Sequence, residues 1–264
     1  MPRLCWVTDI HLDFLRDDEV DAFIARIAAA LPDAVLVGGD VGHARSVEGY
    51  LRRIADGVAA PVHFVLGNHD FYHGSIGAVR ARMAELSRAR LGWLPERGVV
   101  ALSPRTGLVG HDGWSDGRAG DWERSTVMLN DYLLIQDLLA TDRAELRRRL
   151  GALGDDAACH LSRVLPAALE RFEHVVVLTH VPPFRESCWH AGRISDDNWL
   201  PHFTCVAVGE VLREAMAARP DRRMTVLCGH THGAGVTEVL PNLVVRTGGA
   251  AYGRPELQAP IVVD

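Results

Sequence analysis

The chain has 264 residues, 48% of them hydrophobic and 23% charged, with a formal net charge of -6. That length and apolar content suit one globular domain with a full core. The acidic balance excludes the broad basic footprint of a protein that lives on nucleic acid. Five widely spaced cysteines with no CxxC pair fit a reducing compartment and argue against a disulfide framework.

Leu4 to Thr8 is a short apolar run ending at Asp9-Ile10-His11. Asp17 to Leu31 carries Val20, Phe23, Ile24, Ile27 and Leu31 at helical spacing, and Pro32-Asp33 breaks it. Ala34 to Val37 reads as a second strand ending in Gly38-Gly39-Asp40. An amphipathic stretch from Val47 to Val58 follows. Pro61 to Leu66 is a third strand, ending in Gly67-Asn68-His69-Asp70, and a helix is expected from about Ser75 to Arg90. This βαβαβ rhythm predicts an open, largely parallel sheet.

The rhythm changes at Val99 to Leu102 and Thr106 to Gly110, which read as adjacent strands opening a second, mixed sheet. Residues from about 121 to 172 carry helical spacing through Leu133, Leu134, Leu138, Leu139, Leu161, Val164, Leu165 and Leu169. They are expected to be a helical excursion of one domain spanning 1–264, placed to cap the site. His174 to Thr179 is a strongly apolar strand ending at His180. A long polar loop runs from Val181 to about Thr204, and loops of that length are often functional. Val206 to Arg219 reads as helix, and Met224 to Cys228 as a strand ending in Gly229-His230-Thr231-His232. Val236 to Leu240 and Leu243 to Arg246 form a hairpin around Pro241-Asn242. No apolar run reaches the roughly 20 residues of a membrane helix. Met1-Pro2-Arg3 leads straight into a strand, so a signal peptide is not expected and the cytoplasm is the default location.

In an open α/β sheet, ligands bind beyond the carboxyl ends of the strands. Asp9, Asp40, Asn68, His180 and His230 each stand at such an end. Gly39, Gly67 and Gly229 are expected to let the backbone turn and bring these side chains together. Carboxylate, amide and imidazole donors suit divalent ions such as Mn, Fe, Zn, Ni or Mg, and no thiolate is on offer.

Asp9-x-His11, Gly39-Asp40, Gly67-Asn68-His69-Asp70, His180 and Gly229-His230-Thr231-His232 resemble, in order and strand context, the five blocks of the calcineurin-like metallophosphoesterases. The resemblance spans nearly the whole chain. It implies an α/β fold, a four-layer α/β/β/α sandwich with two facing mixed sheets. It implies two divalent metal ions, one held by Asp9, His11, Asp40 and His232, the other by Asp40, Asn68, His180 and His230. Asp40 would bridge them, and a hydroxide shared by the ions would attack phosphorus in line. His69 would stabilise the transition state or protonate the leaving oxygen. Asp70, its neighbour, is a candidate to orient it.

Two divalent ions clamp phosphate oxygens and acidify a bridging water, so phosphoryl transfer asks little more of the protein than positioning. The expected activity is hydrolysis of a phosphodiester or phosphomonoester in a small phosphorylated substrate such as a nucleotide. A non-catalytic scaffold and a nuclease stay open as alternatives, although none of the blocks is degraded and no aromatic-basic interleaving is present. The Asp-Arg-Gly continuation of Ser/Thr protein phosphatases is missing after Gly39, which disfavours that branch. Tyr72 and His73 are candidates to reach substrate. Trp114, Asp116 and Arg118 are candidates to border the cleft, and Trp189, His190 and Trp199 to form its rim. Arg147, Arg148 and Arg149 are expected to form a solvated face. Oligomeric state is not encoded in any of these patterns.

Overall fold

The structure, a computed structural model, describes residues 2–87 and 90–263. The first half alternates strand and helix: β1 (Arg3–Val7), α1 (Asp17–Ala29), β2 (Ala34–Val37), α2 (Val47–Gly57), β3 (Val62–Phe64), α3 (Ile76–Leu86) and β4 (Leu91–Trp93). The second half begins with α4 (Leu94–Arg97), β5 (Val100–Ala101), β6 (Thr106–His111), α5 (Asp131–Leu134) and α6 (Arg143–Arg171). It continues through β7 (His174–Thr179), β8 (Trp189–His190), β9 (Arg193–Ile194), α7 (Leu200–Phe203), α8 (Val206–Ala217), β10 (Arg223–Cys228), β11 (Gly235–Leu240), β12 (Leu243–Thr247) and β13 (Ile261–Val262).

Two sheets result. One has the order β13-β1-β2-β3-β4, with β1 to β4 parallel and β13 antiparallel at the edge. The other has the order β11-β12-β10-β7-β6-β5, parallel through its four central strands, with antiparallel β11 and β5 at its two edges. Both sheets are therefore mixed, and the protein is a mixed α/β fold.

Alternation along the strands divides the core. On β1, Cys5 and Val7 join a cluster with α1, α2 and α3, whereas Leu4 and Trp6 face the other way. Leu4, Trp6, Leu36 and Val65 share one cluster with Leu108, Val176, Leu178 and Leu227 of the second sheet. Val175, Val177 and Val226 point away from it, into a cluster with Leu161 and Leu165 of α6 and Val208 and Leu212 of α8. Strands apolar on both faces need cover on both, which is why β2 and β7 read as unbroken apolar runs.

Three features differ from the expected elements. The helix expected from Ser75 ends at Leu86, and residues 88–89 lie outside the described residues. The helical spacing expected across 121–172 becomes one 29-residue helix, α6, preceded by irregular chain and two short turns. Side chains there compete for the backbone: Asp121 accepts the Arg124 amide and Asn198 accepts that of Thr126. Asp142 then caps α6 by accepting the Glu145 amide at 2.9 Å. α6 lies along the second sheet and does not cap the strand ends; only residues 129–131 of this stretch reach the cleft there. The edge strands β4 and β13 were not expected. Arg147, Arg148 and Arg149 pair with Glu123 and Glu145 on the surface, as a solvated face should. Among the described residues, no helix is long and apolar enough to cross a membrane.

Candidate metal centre

The loops that follow β1, β2, β3, β7 and β10 converge on one edge, where the two sheets meet. Their backbones are tied together: Asp9 N–H donates to Gly39 O at 3.0 Å, His11 N–H to Asp40 O at 2.9 Å, and Gly229 N–H to His180 O at 2.8 Å. Asp9, His11, Asp40, His230 and His232 all hold positive φ, between 41° and 69°. Left-handed backbone at non-glycine residues carries strain, and here it is concentrated on the side chains that converge. Two glycines serve by absence of bulk. A Cβ on Gly67 would lie 2.1 Å from Asp40 Oδ1, and one on Gly229 would lie 2.0 Å from Asp9 Oδ2. Gly39 turns at φ +91°.

Asp9, His11, Asp40 and His232 offer ligand atoms that lie within 4.8 Å of one another. His11 Nε2 stands 3.3 Å from His232 Nε2 and 3.7 Å from Asp40 Oδ2, and His232 Nε2 stands 3.4 Å from Asp9 Oδ1. The other oxygen of Asp40, Oδ1, faces the opposite way, 3.5 Å from His180 Nε2. There Asn68 Oδ1 lies 3.0 Å from His180 Nε2 and 2.9 Å from His230 Nδ1. Asp40 thus presents one oxygen to each of two groups of donors.

Protonation sharpens the picture. His180 Nδ1 is 2.9 Å from Gly38 O, and His230 Nε2 is 3.0 Å from His202 O. A carbonyl only accepts, so both nitrogens carry hydrogen. In a neutral ring the remaining nitrogen, His180 Nε2 or His230 Nδ1, then presents a lone pair to Asn68 Oδ1, which is also an acceptor. Protonating His230 instead is opposed by burial and by His180, which push it down to about 3. Three acceptors converging in a buried place repel unless a cation lies among them.

The first group has the same character. Burial, reinforced by Asp9 and Asp70, pushes the Asp40 carboxyl well above its usual value. Burial also opposes ionisation of Asp9, but His180, His232 and His11 hold its carboxyl well below the usual range. Burial pushes His11 down to about 3, and its Nδ1 is buried without a hydrogen-bond partner. Cations among these groups would favour the ionised carboxylates and neutral imidazoles that coordination requires. The donor set, oxygen and nitrogen with no sulfur, therefore fits divalent metal ions.

A cleft of about 250 Å³ opens over this cluster and is lined by Asp40, Asn68, His69, Tyr72, Asp131, His190, Phe203, His230, His232 and Tyr252, among others. Among the described residues, no Lys or Arg lines it. His69 stacks on Tyr72 with ring centroids 4.3 Å apart, and its Nδ1 has no partner.

Asp70 behaves differently from expectation. Its carboxylate accepts the backbone amides of Asp40, Val41, Gly42 and Gly67, each at 2.9 Å, so both oxygens are committed. It does not orient His69; it fixes the loop that carries Asp40. The remaining candidates separate. Tyr72 and His190 line the cleft. His73 packs edge-on against His43. Trp114 and Asp116 are buried away from the cleft, with Asp116 accepting the Ala207 amide and pairing with Arg118. Trp189 donates to Thr237, and Trp199 stacks on Phe203.

Sequence reasoning missed Asp131, Phe203 and Tyr252. Asp131 Oδ1 accepts from Asn68 Nδ2 at 2.8 Å and from the Tyr72 hydroxyl at 2.7 Å. The Tyr252 ring lies 4.5 Å from that of His11 and 5.1 Å from that of His232. None of the three sits in a motif, so only the tertiary structure identifies them.

Several solved structures share this architecture at low identity. The phosphopantetheinyl hydrolase PptH of Mycobacterium tuberculosis is similar over 94% of this chain and 89% of its own, at 17% identity and a TM-score of 0.62. A dimetal phosphatase from Danio rerio is similar over 94% and 88%, at 16% identity and a TM-score of 0.55. At such identities the likeness speaks for the fold alone. A search of curated proteins finds no match. A family model described as calcineurin-like phosphoesterase matches residues 2–234, taking in every loop that converges on the cluster. The chain belongs to the calcineurin-like phosphoesterase family.

Proposed function

We propose that the protein is a dinuclear metal-dependent phosphoesterase, cytoplasmic, that hydrolyses a phosphodiester or phosphomonoester in a small phosphorylated substrate. One ion would be held by Asp9, His11, Asp40 and His232, the other by Asp40, Asn68, His180 and His230. The ions are divalent, drawn from Mn, Fe, Zn, Ni and Mg. The chain acts as one metallophosphoesterase domain over residues 1–264. The observation that carries this reading is the convergence of Asn68 Oδ1, His180 Nε2 and His230 Nδ1 beside Asp40 Oδ1.

When bound, two such ions would neutralise phosphoryl oxygens and acidify a water. The protein supplies the rest. Asp40 divides its two oxygens between the two donor groups. His69, at the wall of the cleft, donates an imidazole N–H to the phosphoryl or leaving oxygen. With no Lys or Arg in the lining among the described residues, substrate charge is left to the ions and His69. Tyr72, Phe203 and Tyr252 supply apolar wall for the group the phosphate carries. The similar structure named a phosphopantetheinyl hydrolase is in keeping with a small phosphorylated substrate. A nuclease is disfavoured by the same lack of basic lining, and a non-catalytic scaffold by the complete donor set.

The test is a paired assay with Mn²⁺, a chromogenic phosphodiester against a chromogenic phosphomonoester. At least one is hydrolysed by the wild type, and His69→Ala lowers kcat by about 10²-fold or more while both ions still bind. Hydrolysis of neither ester, or full activity in His69→Ala, would refute the reading or the role given to His69 respectively.

A further inference from the structure

Asn68 poses a problem that the metal-ligand assignment alone does not answer. Its side-chain amide has a donor end and an acceptor end of nearly equal size. Turned over, Asn68 would present its NH₂ to His180 Nε2 and His230 Nδ1. In neutral rings both nitrogens are lone-pair acceptors, because the rings donate from the other side to the carbonyls of Gly38 and His202. The reversed amide would therefore make two good hydrogen bonds and close the cluster without any ion. Hydrogen bonding to the two histidines, taken alone, thus favours the orientation that excludes a cation.

We propose that Asp131 is the positioning residue that holds Asn68 oxygen-first, and so keeps the second donor group open to a cation. This rests on the metal-dependent reading given above. Asp131 lies outside every motif, in the segment between β6 and α6, and its side chain reaches the back of Asn68. A carboxylate accepts and cannot donate, so the end of Asn68 facing it at 2.8 Å must be Nδ2. Oδ1 is then forced toward His180 and His230. The Tyr72 hydroxyl donates to the same oxygen of Asp131 at 2.7 Å, which fixes the carboxylate in turn. Asp131 is buried at the floor of the cleft, and Asn68 and Tyr72 both bond to its Oδ1. The Tyr72 ring also backs His69, 4.3 Å away between centroids. One carboxylate oxygen therefore sets both a ligand of the second ion and the ring behind His69.

Outer partners of metal ligands typically contribute 10- to 100-fold in metal affinity. The experiment is calorimetric titration of metal-free protein with Mn²⁺, resolving two binding events, with folding checked by circular dichroism. In Asp131→Ala the ion beside Asn68 binds 10- to 100-fold more weakly, and the ion held by Asp9, His11 and His232 binds as in the wild type. Asp131→Asn keeps an acceptor oxygen but can also offer NH₂ to Asn68, so it weakens the same ion by roughly three- to tenfold. Tyr72→Phe leaves the Asp131–Asn68 bond in place and shifts that ion less than Asp131→Ala does. Should Asp131→Ala fail to fold, Asp131→Asn carries the test: selective weakening of one ion supports the inference, and unchanged or equal loss of both overturns it. A wild type that binds two ions and an alanine variant that binds both as tightly would remove Asp131 and leave the metal-dependent reading standing. A wild type that binds no ion would remove both.

Discussion

Single atoms decide whether this edge of the molecule can hold cations. The lone pairs of His180 Nε2 and His230 Nδ1 are free because the opposite nitrogens donate to carbonyls. Gly229 is required because a methyl there would lie 2.0 Å from Asp9 Oδ2. Gly229→Ala should destabilise the metal-free protein by about 1–3 kcal/mol in chemical denaturation and weaken the ion beside Asp9. Asp70 and His69 are neighbours with separable effects. Asp70→Ala strips four buried amides of their acceptor and should lower stability by more than about 3 kcal/mol, or prevent folding. His69→Ala should spare stability and lose turnover. Thermal melts of the two variants side by side check this; an Asp70→Ala protein of wild-type stability would contradict the role assigned to its four bonds. The motif residues were legible because each closes an apolar run, and a strand end is a place readable from sequence. The partners of Asp70 and the tautomers of the histidines were not, since both depend on backbone groups from distant segments.

At the scale of elements, every strand that carries a donor delivers it at its carboxyl end, and the helices close the outer faces. The parallel rhythm of β1, β2 and β3, the return of strand pattern at β7 and β10, and the β11–β12 hairpin follow from apolar runs and turn residues. The leucines of residues 121–142 recur at helical spacing, yet only the four-residue α5 and one 3-10 turn are helical there. In the structure Tyr132 reaches the core from the four-residue α5, and Ile135 and Leu138 from the single turn after it, while side chains of Asp121 and Asn198 occupy backbone amides that a longer helix would need. Asp131 reaches Asn68 from the first position of the four-residue helix α5. α6 shows an opposite tension, with the exposed Pro166 well inside 29 helical residues. Proline there removes an amide donor and crowds the preceding turn. Pro166→Ala should therefore raise stability by about 1–3 kcal/mol, read as a higher melting temperature with activity unchanged. A lower melting temperature would show that the proline fits its helix.

Across the whole molecule, buried histidines couple folding to pH. Burial pushes His63, His111 and His202 down to about 4. Each binds its proton more weakly when folded than when unfolded, where the value is near 6.5. Their stabilising contribution is complete above pH 6.5 and is lost as pH falls from 6.5 towards 4. His63 lies on β3, away from the cleft, so His63→Gln should flatten the acid limb of a stability-against-pH curve without touching metal affinity. For a group this buried the part removed is on the order of 2–3 kcal/mol at pH 4. An acid limb identical to that of the wild type would contradict the account.

The two halves of the chain meet through Leu36, Val65, Val176 and Leu178, and the donors lie where those sheets join. Asp40 stands between them, one oxygen toward each group. The most direct measurement is anomalous diffraction from crystals grown with Mn²⁺. The account predicts two peaks flanking Asp40, about 3.5–4 Å apart, one beside Asp9, His11 and His232 and the other beside Asn68, His180 and His230. One peak, none, or peaks that leave Asp40 uncoordinated would contradict it.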